Sequence, residues 1–97
     1  MNTALIKAKA DLIEEMTTAL NWLEKYGDTI SATGEDDHIS ITVRIDFARS
    51  VDGCREVEKM MSSLARYAIP DLVEKATRNC RNTIDLCVEA ISEEVAA

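Results

Sequence analysis

Residues 38–47, HISITVRIDF, alternate polar and apolar without a break. Ile39, Ile41, Val43, Ile45 and Phe47 fall on one side and Ser40, Thr42, Arg44 and Asp46 on the other, which is the two-residue period of a strand with one face in a core. The sequence before and after repeats at the helical period instead. A strand alone leaves its backbone N–H and C=O groups unpaired, so the source of its hydrogen-bond partners constrains the fold more than any other feature of the chain.

The nearest candidate partner is Thr29 to Thr33, joined to the long strand (His38 to Ala48) by GEDD, residues 34–37, as a four-residue turn. With Thr33 opposite His38, Ala32 faces Ile39 and Ile30 faces Ile41, so the apolar residues of both strands share one face. The first strand ends too early to reach Val43. Val43, Arg44, Ile45, Asp46 and Phe47 are left on an apolar edge, a template for pairing. A second copy supplies the missing strand most simply: two hairpins meet about a two-fold axis, with Arg44 and Asp46 registering across it, as a four-stranded antiparallel sheet beneath the helices. If 27–37 is plain loop, the same scheme shrinks to a two-stranded ribbon across the dimer.

The flanking helices read more simply. A first helix from the start of the chain to about Tyr26 carries Leu5, Leu12, Ile13, Met16, Leu20 and Leu23 as one stripe. Asn2 is placed to cap it, with Met1 and Ile6 as a hydrophobic staple, and Gly27 is the expected stop. A second runs from about Asp52, the candidate N-cap, through Val57, Met60, Met61, Leu64 and Ala65. Pro70 ends it and opens a long third helix with Leu72, Val73, Ala76, Cys80, Ile84, Cys87, Val88, Ile91 and Val95 on its apolar side. Only three Gly and one Pro in 97 residues suit long elements with few loops. The expected fold is therefore α+β and mostly helical, a single domain over 1–97 in the order α-β-β-α-α.

Charge narrows the function. Eleven Lys and Arg against 18 Asp and Glu give −7, which disfavours direct binding of nucleic acid or of an anionic membrane, both of which need a basic patch. No apolar run reaches signal-peptide or membrane-span length, so the cytoplasm is the expected compartment. Three cysteines, at 54, 80 and 87, make no disulfide framework.

Few residues suggest chemistry. Glu35, Asp36, Asp37 and His38 cluster as a conceivable cation site, but they lack calcium-loop spacing and read as a solvated turn. Cys54 opens a helix beside Arg55, a setting that favours a thiolate, yet the single His38 is poorly placed to activate it. Cys80 and Cys87 read as core. Met16, Met60, Met61, Trp22 and Tyr67 read as core before they read as a binding groove, while Trp22 and Tyr26, if exposed, would mark a contact surface.

The least ordinary feature is acidic. Asp85, Glu89 and Glu93 recur every four residues, about 6 Å apart along one side of the third helix, with Glu94 alongside. Repelling charges at that spacing give the helix no stability. The plain reading of the row is a solvated helix face; together with Glu35, Asp36 and Asp37 it would, as a functional surface, imitate a line of phosphates. By analogy of charge and size, the chain is expected to be a non-enzymatic, dimeric inhibitor or regulator of the kind some phages raise against bacterial defence complexes. It would occlude a protein partner that has a basic, nucleic-acid-binding surface, without cofactor or metal. The alternatives are a structural or assembly subunit of a larger complex, whose long strand pairs with a different chain, and, less favoured, an enzyme.

Overall fold

The computed structural model describes residues 1–32 and 39–97. They form three helices, α1 (Thr3–Ala32), α2 (Cys54–Ala65) and α3 (Ile69–Ala96), with single 3₁₀ turns at Asp46–Ala48 and Arg66–Ala68. None of the described residues is in a strand, so the α+β expectation is overturned: this is a helical chain built on two long helices.

The proposed hairpin fails at both ends. Thr29 to Ala32 belong to α1, which passes through Gly27 without stopping. Gly27 is the one buried residue of that helix, and a Cβ there would lie 3.1 Å from Val73 Cγ1. The glycine thus serves close approach of α3, and tertiary packing overrides the weak helix preference of Gly, Thr and Ile. The rest of the proposed hairpin, Thr33, the turn and His38, lies outside the described residues.

Residues 39–45 belong to no helix or strand, Ile45 is extended (φ −114°, ψ 94°), and the alternation of the segment survives. Ile39, Ile41, Val43 and Ile45 are half-buried, while Ser40, Thr42, Arg44 and Asp46 are exposed. Side chains of α2 take up two of the N–H groups that a ladder would have paired. The Val43 N–H donates to Ser62 Oγ at 2.8 Å, and the Ile45 N–H donates to Glu58 Oε2 at 2.7 Å. The Cys54 thiol points at the Ile45 carbonyl from 3.7 Å. The expected dimer seam through Val43, Arg44, Ile45, Asp46 and Phe47 is therefore replaced by an intrachain contact. Arg44 pairs with Asp46 of its own chain, and Phe47 enters the 3₁₀ turn with its ring in solvent.

α2 starts at Cys54, one residue later than Asp52 as N-cap would place it, because Gly53 takes a left-handed φ of 93° in the cap position. At its other end Pro70 has no N–H to give the Arg66 carbonyl. Ile69 donates to that carbonyl instead, three residues on, and the helix tightens into the 3₁₀ turn before α3 resumes.

Helix packing is confined almost wholly to α1 against α3. The two run antiparallel: Asn2 meets Glu94 near one end, and Gly27 meets Val73 near the other. Asn2 caps α1 by accepting the Leu5 N–H on Oδ1 at 3.0 Å, and its own N–H donates to Glu94 Oε1 at 2.6 Å. Cys80 and Cys87, seven residues apart, are buried on α3, and with Cys54 and Ile69 they are the only buried apolar side chains described.

Those four side chains make a very small core. The molecule measures 59 × 33 × 16 Å and its radius of gyration is 19.0 Å, against about 12.5 Å for a compact chain of this length. Its thinnest dimension is 16 Å, little more than the roughly 10–12 Å of one helix with its side chains, and the packed helices α1 and α3 form one layer. Domains usually bury apolar faces between two layers, and this chain has one.

Candidate functional site

Three surfaces carry the residues of interest. The first is the outer side of α3. Its ion pairs among the described residues lie in the N-terminal half, Lys75 with Asp71, Arg78 with Glu74, and Arg81 reaching across to Glu24. Asp85, Glu89 and Glu93 follow on the same helix, exposed and in none of these pairs. Glu94 departs from the expected row: it is half-buried and holds the first backbone N–H of the α1 cap. Glu35, Asp36 and Asp37 lie outside the described residues. The structure thus gives an acidic row of three.

The second surface is one broad face of the α1–α3 layer, and a single observed contact fixes which residues share it. Positions turn about 100° per residue around a helix, so those seven apart nearly superpose. Arg81, Val88 and Val95 form one such row on α3, and Ile6, Ile13 and Leu20 form one on α1 that continues towards Glu24. Because Arg81 Nη2 reaches Glu24 Oε1 at 3.4 Å, the two rows border the same face. At one end that face is a polar cleft of about 520 Å³, lined by Glu24, Asp28, Glu74, Arg78 and Arg81 among others. At the other end it is aliphatic. Ile6, Ile13, Ile84 and Ile91 are half-buried there, and Val88 and Val95 are 49% and 60% exposed.

The third surface belongs to α2. Its apolar stripe, Val57, Met60, Met61 and Leu64, faces solvent, with Leu64 60% exposed. Next to Val57, a shallow apolar groove of about 280 Å³ is lined by Ile45, Phe47, Ala48, Val51 and Cys54, and Phe47 beside it is 95% exposed. The neighbouring stripe of α2, Cys54, Glu58 and Ser62, is occupied by residues 43–45. The sequence reading took Met60 and Met61 as core; the structure leaves both open. Trp22 and Tyr26, rings 5.1 Å apart, are also exposed and mark a smaller patch on α1.

Cys54 is buried against a carbonyl, and among the described residues no three His, Cys, Asp or Glu side chains gather as a metal site. No helix among them is long and apolar enough to cross a membrane. No family model, curated protein or solved structure matches the chain.

Proposed function

We propose that this chain is a non-enzymatic protein-interaction module that works as a homodimer, and that the dimer uses the outward acidic row of α3 to occlude a protein with a basic surface. One quantity carries the reading. The protomer exposes 7434 Å², whereas a folded monomer of 10.8 kDa is expected to expose about 5,500 Å². The excess of about 1,900 Å² per chain, with valines, leucines, methionines and Phe47 prominent in it, is the surface a partner chain would cover. Twice that area falls within the roughly 2,000–5,000 Å² of obligate homodimer interfaces.

The acidic row supports the second half of the reading. Asp85, Glu89 and Glu93 turn away from the α1 seam, so a dimer closed through apolar faces keeps them outside, and two copies double the array. The competing reading, an assembly subunit of a larger complex, would have the same apolar surfaces covered by a different chain.

Light-scattering mass after size exclusion tests the dimer, with twice 10.8 kDa as the expected result. For the acidic row, the triple variant Asp85→Asn, Glu89→Gln, Glu93→Gln is compared with the wild type for retention of a basic DNA-binding domain across a salt series. The wild type is expected to bind at low salt and release as salt rises, and the variant to bind weakly throughout. Equal binding by both proteins would remove the row from the function.

A further inference from the structure

We infer that the two apolar surfaces left open in one protomer cover each other between protomers: α2 of each copy docks on the aliphatic face of the other copy's α1–α3 layer. This rests on the dimeric reading and specifies its interface.

Four observations converge on reciprocal exchange. The most amphipathic stretch of the chain, α2, presents Val57, Met60, Met61 and Leu64 to solvent and has no substantial packing on its own α1 or α3. The layer has a face that lacks a helix: doublets such as Leu5–Ile6 and Leu12–Ile13 make the apolar stripe of α1 wider than a two-helix seam needs, and every member stays only half-buried against α3. The joint between α2 and α3 is a 3₁₀ turn imposed by Pro70, the kind of hinge at which an element is handed to a neighbouring copy.

The fourth observation is charge. Residues 39–69, which include α2, hold five Lys and Arg against four Asp and Glu. The α1 and α3 helices, Thr3–Ala32 and Ile69–Ala96, hold six against eleven. Layer against layer would set two negative units face to face, whereas α2 itself, with Arg55 and Lys59 against Glu56 and Glu58, is neutral and brings no such repulsion to the layer; like-charge juxtaposition is what specific interfaces avoid. Two-fold symmetry then makes the contact twice, as an excess of about 1,900 Å² per chain requires and one exposed stripe on a 12-residue helix does not supply.

Leu64→Asp in α2 and Val88→Asp in α3 test the exchange. The side chains are 60% and 49% exposed in the protomer, so the variants are expected to keep wild-type helicity by circular dichroism. Each alone is expected to run at half the wild-type mass. Mixed in equal amounts, they are expected to recover dimer, because the intact α2 of the Val88→Asp chain meets the intact face of the Leu64→Asp chain. If only one variant dissociates, or if both do and the mixture stays monomeric, the surfaces pair with themselves or with nothing, and exchange is overturned while the dimer stands. A wild-type monomer at every concentration would overturn the dimeric reading itself, and this interface with it.

Discussion

A few side chains fix where each helix begins and how closely the long pair can approach. Asn2 closes α1 twice over, accepting the Leu5 N–H and giving its own to Glu94. Asn2→Ala is expected to cost about 1 kcal/mol, the usual worth of an N-cap, as a lowered midpoint in urea unfolding. The cap was legible from Asn2 and its neighbours alone, since capping is local chemistry. Gly27 was not. Read along the chain it is a helix stop; in three dimensions it is the gap into which Val73 fits, and a sequence does not show which residue will arrive opposite a glycine. The same blindness applies to Glu94, which sits beside an acidic row in sequence yet turns to the start of α1.

At the level of elements, period and partner came apart. The alternation in residues 39–45 correctly marks extended chain with Ile39, Ile41, Val43 and Ile45 turned inward. The step from extended chain to β-sheet was the error. An N–H needs an acceptor, and that acceptor need not be another strand's carbonyl. Here Ser62 and Glu58, on one stripe of α2, stand in for a ladder. Glu58 also binds Arg49 at 3.3 Å and is largely withdrawn from solvent, its side chain 12% exposed. Glu58→Ala is expected to speed amide exchange at Ile45 about tenfold or more, matching the roughly 1.5–3 kcal/mol of a hydrogen bond to a charged group, while amides of the α1–α3 seam keep their wild-type rates. Equal acceleration throughout would mean that the segment is held by global stability and not by this carboxylate. The helical stripes of α1 and α3 were legible because their 3.6-residue period runs for many turns; the split between α2 and α3 was legible in Pro70, though not the 3₁₀ bond from Ile69 that repairs it.

For the molecule as a whole, one layer of helices with four buried apolar side chains is little from which to build a stable fold. Under the dimeric reading the unfolding temperature rises with protein concentration, because association stabilises the folded state by mass action. Calorimetric scans over a hundredfold dilution series are expected to show a steady fall in midpoint; a constant midpoint would mark a protomer that is stable alone. The alternation of residues 38–47 pointed to a dimer for a different reason, an unpaired strand edge. The Val43 and Ile45 N–H groups of that edge are satisfied within the chain, and the dimeric reading now rests on the thinness of the layer. The 16 Å thickness also bears on turnover in a cell. Under the dimeric reading, a chain that completes its interior only in company is open to proteases while scarce and shielded once abundant, so its lifetime would follow its rate of synthesis, and a brief lull in production would be enough to clear it.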